Sequence, residues 1–254
     1  NKKAQQGLAA LNKPQLFAAT KSPPQETIDQ LINLYNQGQL PAVVDHAQAL
    51  TKQYPEAFTV WNILGAANKG LGQVGEALEA FKKVTELNPT YADGHNNLGV
   101  TLQGQGRLEE AITAYNKALS LKPDYAEAHN NMGNVLREQG KLEDAIGAYS
   151  RALSIKPDQA EIYNNMGTVL KKKGKPKEAI EAYNKALLLN PYYVEAHNNL
   201  GNALQEQGKL EEAIEVYNKS LALNSNYAGT YTNMGVVLQD LGKLEEAIEA
   251  YNKA

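Results

Sequence analysis

Hydrophobic and polar residues alternate along most of this chain at the spacing of amphipathic helices. One block shows the pattern clearly, because two stripes of packing residues follow each other on either side of Gly140. The two stripes are His129, Met132, Gly133 and Leu136, and then Leu142, Ala145, Ile146, Tyr149, Ala152 and Leu153. Gly140 ends the first helix, since glycine readily adopts the left-handed C-cap conformation, and Pro157 stops the second. The pattern therefore predicts two helices joined by a tight turn.

The same pattern recurs with a period of 34 residues. Its first glycine, position 0 of each block, stands at Gly65, Gly99, Gly133, Gly167, Gly201 and Gly235. A second glycine follows at position +7, an alanine at +12 and an aromatic residue at +16, which is Phe81 in the first block and tyrosine in the others. We expect the small residues to lie where the two helices approach closely and the aromatic ring to supply volume where they diverge. One such pair cannot bury its own apolar face, so neighbouring pairs must stack.

This helix–turn–helix pattern resembles the tetratricopeptide repeat, in clear register over residues 58–254. The resemblance implies an all-α, right-handed superhelical solenoid of antiparallel helix pairs, with six repeats in 58–254 and the first helices lining a concave groove. Residues 24–57 keep Gly38 and Pro55 in phase but carry Leu31, Val43 and Ala47 at the other signature positions, so they predict a degenerate repeat. For residues 1–23 we expect a short helix over 1–12 and then a linker.

The two ends of the sequence add a further expectation. The chain starts at Asn1 and stops at Ala254, directly after a second helix. We therefore expect a fragment of a longer protein whose last repeat lacks a capping helix. Its open apolar face could stack on another copy of the chain.

Asparagines recur in the first helices at three positions. They are Asn97, Asn131, Asn165, Asn199 and Asn233 at −2, then Asn96, Asn130, Asn164 and Asn198 at −3, and Asn134 and Asn202 at +1. At about 100° per residue, these positions point roughly 150° away from the packing stripe, so we expect them to leave the core. An amide offers both a donor and an acceptor, which matches a peptide group. The alternative is that these amides tie helix ends or neighbouring repeats together.

The column at position −2 is similar to the asparagine ladder in the repeat region of the O-linked N-acetylglucosamine transferases. That resemblance implies that the column binds the backbone of an extended peptide in the concave groove. Ile63 interrupts the column in the first full repeat, so the ladder is expected to start at Asn97. A clamp for a C-terminal carboxylate is not expected, because four repeats have an acidic residue at position −6 that would repel it: Asp93, Glu127, Glu161 and Glu195.

Catalysis and cofactor binding find no support in these residues. His95, His129 and His197 share position −4 with Trp61, Tyr163 and Tyr231, which indicates packing rather than a metal site. Paired carboxylates such as Glu211 and Glu212 stand beside lysines on a solvated helix face, where nothing desolvates them for acid–base work. We therefore expect no enzyme activity, no cofactor and no metal.

The composition and hydropathy of the chain give no support to nucleic acid or membrane as partners. There are 25 Lys and Arg against 28 Asp and Glu, which gives no reason to expect nucleic acid. No apolar run approaches the roughly 20 residues that span a bilayer, so membrane insertion is not expected. The absence of cysteine leaves the compartment open, with the cytoplasm as our expectation. The predicted function is a scaffold that binds a protein or peptide. The alternatives are the substrate-recognition arm of a larger glycosyltransferase or sulfotransferase, and a self-associating module.

Overall fold

The structure, a computed structural model, describes residues 22–254, so the helix expected over 1–12 lies outside the described residues. Across 22–254 there are fourteen α-helices and no strand. In order they are α1 Gln25–Asn36, α2 Leu40–Gln53, α3 Phe58–Gly70, α4 Val74–Leu87, α5 Ala92–Gly104, α6 Leu108–Leu121, α7 Ala126–Glu138, α8 Leu142–Ile155, α9 Ala160–Lys172, α10 Pro176–Leu189, α11 Val194–Glu206, α12 Leu210–Leu223, α13 Ala228–Asp240 and α14 Leu244–Asn252. The predicted fold class, an all-α repeat of helix pairs, is confirmed.

The chain divides into two compact units. The first unit ends at Thr101, and the second runs from Leu102 to Ala254, so the boundary falls within α5. In the first unit, Leu31, Val43, Val60 and Leu64 form one buried cluster. Within the second unit, one cluster joins buried side chains from three successive pairs: Leu170, Tyr183, Leu200, Tyr217 and Val237.

Residues 24–57 also form a helix pair, α1 and α2, despite their divergent sequence. Leu31 stands where the other blocks have glycine, and Ala47 stands where they have the aromatic ring. Both side chains are buried, at 1% and 0% exposure. The large and small residues have changed places between the two helices, so the volume between them stays filled.

The turn within each pair depends on the second glycine. Seven glycines, from Gly38 to Gly242, have φ between 72° and 78°, the left-handed region that side chains disfavour. After α7, the Lys141 N–H donates to the Leu136 carbonyl at 2.9 Å and the Gly140 N–H donates to the Arg137 carbonyl at 3.0 Å. The predicted glycine C-cap is therefore confirmed.

The first glycine is needed for a different reason, which is the close approach of the two helices. A Cβ on Gly133 would lie 2.7 Å from Cε1 of Tyr149, and one on Gly167 would lie 2.7 Å from Cε1 of Tyr183. Both tyrosines have no exposed surface. Each aromatic ring thus occupies the space that a side chain at position 0 would need. This contact fixes the distance between the two helices at the glycine.

Candidate functional site

The asparagines at position −2 bond to the preceding repeat. In the second unit, Asn199 Nδ2 donates to Asn164 Oδ1 at 3.0 Å, and Asn233 Nδ2 donates to Asn198 Oδ1 at 3.1 Å. In the first unit, Asn97 Nδ2 donates to the oxygen of Asn62 at 3.2 Å. Each bond joins position −2 to position −3 of the repeat before it, and we call these bonds inter-repeat amide pairs. All five asparagines at position −2, including Asn131, are half-buried.

The asparagines at position −3 lie deeper than the helical wheel predicts. Asn96 and Asn164 are 1% exposed and Asn198 is 8% exposed, so the expectation that they leave the core is wrong for these three. A wheel considers one helix at a time. It omits the first helix of the following repeat, which brings Asn199 against Asn164 and Asn233 against Asn198. In the two amide pairs of the second unit, this column therefore forms the buried half.

One step of the ladder is built differently. Asn165 Nδ2 reaches Asn134 Oδ1 at 3.5 Å, and Arg137 Nη1 donates to Asn165 Oδ1 at 3.3 Å. Asn130, which the regular pairing would join to Asn165, is half-buried and its Oδ1 has no hydrogen-bond partner. The arginine at position +4 has drawn the amide of Asn165 away from the regular arrangement.

The asparagines at position +1 are held by the buried tyrosines. The Tyr149 hydroxyl donates to Asn134 Oδ1 at 2.7 Å, and the Tyr217 hydroxyl donates to Asn202 Oδ1 at 2.6 Å. Burial raises the pKa of Tyr149 to about 12, since the ionised form would lose its hydration. Both amides are half-buried, and each links the two helices of its own repeat through the tyrosine hydroxyl.

Sequence reasoning missed this bond, although the sequence carries a signal for it. The one repeat with phenylalanine, at Phe81, has Ala66 at position +1. The last repeat has Val236 at +1, and there the Tyr251 hydroxyl donates to Gln239 Oε1 at position +4, at 3.4 Å. A hydroxyl at +16 thus comes with a polar partner at +1 or +4.

In the first unit, an apolar residue stands at the position that asparagine holds in the later repeats. Ile63 replaces asparagine at position −2 and lines a cavity of about 190 Å³ together with Ile32, Tyr35, Asn62 and Ala66. Ile32 and Tyr35 are 40% and 38% exposed. The break in the asparagine column at Ile63 was the sequence signal for this change, and sequence reasoning used it only to mark where the ladder starts.

The recurrent histidines bond to the loop that precedes their helix. A ring nitrogen, Nε2, lies 3.0 Å from the Pro89 carbonyl in His95 and 2.9 Å from the Pro191 carbonyl in His197. Trp61 Nε1 makes the same bond to Pro55 at 2.9 Å. A tryptophan can replace the histidine here because its ring N–H donates to the same loop carbonyl. Within residues 22–254, no group of acidic, histidine or cysteine side chains has the arrangement of a metal site.

Charges beside the column are mixed in sign. Glu127, Glu161 and Glu195 stand at position −6, while Arg137 and Lys171 stand at +4. Lys171 pairs with Glu206 at 3.3 Å, and both side chains are partly exposed, so this bridge contributes little to stability. None of the helices described is long and apolar enough to cross a membrane.

The stacked pairs and their repeated glycine–tyrosine contacts define a helix-pair repeat protein. The sequence matches the family described as TPR repeat over residues 65–106, 104–136 and 133–174. It also matches models described as tetratricopeptide repeat over 158–226 and 216–249. The chain belongs to the tetratricopeptide repeat (TPR) family.

Solved structures agree with this assignment. The chain is 30% identical to YrrB, described as a TPR protein with an unusual peptide-binding site, with a TM-score of 0.60 over 70% of this chain and 91% of that one. It is 27% identical to MamA, with a TM-score of 0.61 over 67% and 93% of the two chains. PilF of Pseudomonas aeruginosa, at 23% identity and a TM-score of 0.68 over 76% and 88%, shows the fold alone. Among curated proteins, none matches the chain.

Proposed function

We propose that this chain is a non-enzymatic protein-interaction scaffold whose second unit binds an extended peptide through the asparagines at position −2. TPR proteins are generally non-enzymatic scaffolds, and the similarity to YrrB, a TPR protein with a peptide-binding site, supports the same class of partner. The proposed contact residues are Asn131, Asn165, Asn199 and Asn233.

The inter-repeat amide pair is the observation that carries this proposal. A primary amide has two N–H donors and an oxygen that accepts. Asn199 and Asn233 each use one N–H on the preceding repeat, which leaves the other N–H and the oxygen for a peptide group. The pair also fixes the orientation of the half-buried amide before a ligand arrives, and such preorganisation lowers the entropic cost of binding. The asparagines at −3 are then positioning residues for those at −2.

The spacing of the column sets the length of peptide that it would hold. First helices of consecutive repeats pack at about 8–10 Å, and an extended peptide rises about 3.3 Å per residue, so each repeat corresponds to about three peptide residues. Four asparagines span three such steps. The expected ligand is therefore an extended segment of about ten residues.

The test begins with selection of ten-residue peptides that bind the chain, followed by calorimetry on variants. Asn131→Ala, Asn165→Ala and Asn199→Ala together remove three bonds worth about 0.5–1.5 kcal/mol each, so affinity should fall about 10- to 2000-fold. The matched control makes the same three substitutions at Asn116, Asn184 and Asn218, which are exposed on second helices of the second unit. Circular dichroism establishes that both variants remain helical.

A modified peptide separates backbone binding from side-chain binding. Methylation of the peptide nitrogens removes N–H donors, so it should abolish binding, whereas exchange of individual peptide side chains should change affinity little. Equal affinities for the column variant and the control variant would contradict the proposal. So would full binding of the methylated peptide.

A further inference from the structure

A cavity in the first unit departs from the repeat pattern at two of its lining residues. It has a volume of about 420 Å³ and lies among α2, α3 and α4, with Trp61, Leu64 and Ala80 as apolar walls. Its size falls within the range of about 300–1000 Å³ that is usual for small-ligand pockets. It is separate from the asparagine column in the second unit.

The first departure is Asn68 at position +3. The other five repeats carry leucine there, and those leucines are 3–8% exposed: Leu102, Leu136, Leu170, Leu204 and Leu238. Asn68 is as buried as they are, at 2% exposure, and its Oδ1 has no hydrogen-bond partner. A buried acceptor without a partner costs about 1–3 kcal/mol, and leucine at this site avoids that cost. Packing therefore gives no reason for the asparagine.

The second departure is Gly75 at position +10. The other five repeats have glutamate or lysine at this position: Glu109, Glu143, Lys177, Glu211 and Glu245. A Cβ on Gly75 would meet no atom within 4 Å, so no close contact requires the glycine. Gly75 is the second residue of α4, and glycine is a poorer helix former than alanine. Because Gly75 has no side chain, nothing at that position of the wall projects into the cavity.

We propose that this cavity binds an alkylguanidinium group. Asn68 supplies an acceptor, which a rotation of its amide about the Cβ–Cγ bond brings to the cavity surface, and that torsion is soft in asparagine. Glu76 and Glu79 add two carboxylates to the lining, in which Lys52 is the one ammonium. Glu79 Oε1 accepts from Lys82 Nζ at 2.9 Å, so its second oxygen and the carboxylate of Glu76 are the acidic groups offered to a ligand. A guanidinium is a flat cation with five N–H donors and stacks on aromatic faces, so it suits this mixture of acceptors beside Trp61.

The experiment is a ¹H–¹⁵N NMR titration of the full chain with butylguanidinium and with its neutral analogue butylurea. Saturable shifts should appear at the side-chain amide of Asn68 and the backbone of Gly75 with butylguanidinium. Butylurea, which lacks the charge, should bind more weakly. No saturable shift with butylguanidinium, or equal binding of butylurea, would overturn the proposal.

Two variants restore the residues of the other repeats. Asn68→Leu should weaken ligand binding at least tenfold and raise the melting temperature of the chain. Gly75→Lys introduces the residue that Lys177 provides at the same position of another repeat, and its side chain at the cavity wall should also weaken ligand binding. Glu143→Lys, the equivalent change in another repeat, should leave the affinity unchanged. Unchanged binding in both Asn68→Leu and Gly75→Lys would refute the site. Each variant serves as a check on the other if one folds poorly.

A second ligand tests whether the guanidinium belongs to an arginine of a protein partner or to a small compound. Capped arginine, with acetyl and methylamide groups, presents the same side chain on a peptide backbone. Tighter binding than butylguanidinium would indicate an arginine of a protein partner, whereas weaker binding would indicate a small guanidinium compound. Both results support the shared chemistry.

Discussion

At the scale of single residues, the two kinds of glycine in a helix interior make opposite predictions. Gly133→Ala should destabilise the chain by about 1–3 kcal/mol, because its Cβ would lie 2.7 Å from the fully buried ring of Tyr149. Gly147→Ala should stabilise it by about 0.5–1 kcal/mol, since a Cβ there meets nothing within 4 Å and alanine is the better helix former. Urea unfolding of the two variants measures both changes. Equal effects in the two variants would show that helix propensity, rather than the contact with Tyr149, decides the outcome.

The buried tyrosines predict a loss of stability at alkaline pH. Burial raises the pKa of Tyr149 and of Tyr183 from 10.0 to about 12. In that interval the folded chain holds protons that the unfolded chain has released, so the free energy of unfolding falls as pH rises from 10 towards 12. The full contribution is present below pH 10.

Phenylalanine substitutions test this assignment. The double variant Tyr149→Phe and Tyr183→Phe lacks both titrating groups and should lose less stability than the unmodified chain between about pH 8 and about pH 11. Urea unfolding at the two pH values gives the comparison. Every other titratable group is common to the two proteins, so its contribution cancels in the comparison. An identical loss in the two proteins would mean that these hydroxyls do not set the alkaline limit.

At the scale of helices, the inter-repeat amide pairs predict an energetic coupling between consecutive first helices. Asn198 Oδ1 accepts from Asn233 Nδ2 and from Thr230 Oγ1, both at 3.1 Å. Asn198→Ala removes this acceptor and should cost about 1–3 kcal/mol, whereas Asn218→Ala on the exposed side of α12 should be nearly neutral. A double-mutant cycle of Asn198 and Asn233 should give about 0.5–1.5 kcal/mol of coupling. Additive effects would show that the pair contributes nothing to stacking.

The same pairs show how far the sequence alone could go. The period, the turn at Gly140 and the close helix approach at Gly133 could be predicted, because each follows from contacts within one repeat. The contact of the Tyr149 ring with Gly133 was not predicted, since the ring was expected where the helices diverge. The burial of Asn164 could not, because it depends on Asn199 in the next repeat. The cavity beside Asn68 was missed for a related reason: its walls come from α2, α3 and α4 together.

At the scale of the whole molecule, a repeat array has no single central core, so the effect of a mutation depends on its place in the array. Tyr183 belongs to a cluster that also contains Leu200 of the next pair and Val237 of the one after. Tyr251 is 39% exposed, and its ring lies beside Gly235 of its own pair. Loss of the inner ring should therefore weaken several pairs, and loss of the outer ring should weaken one.

Hydrogen exchange read by mass spectrometry resolves this difference along the chain. Tyr183→Ala removes a fully buried ring, a change that costs about 3–5 kcal/mol in comparable cores, so exchange should accelerate about 100-fold or more from α9 to α12. Tyr251→Ala should accelerate exchange only in α13 and α14, because the inner pairs keep both of their neighbours. Equal acceleration throughout the second unit in both variants would contradict this, since it would mean that Leu102–Ala254 opens as one cooperative body. Localised opening would instead mean that the asparagines at −2 on α7, α9 and α11 keep their geometry when the last pair frays.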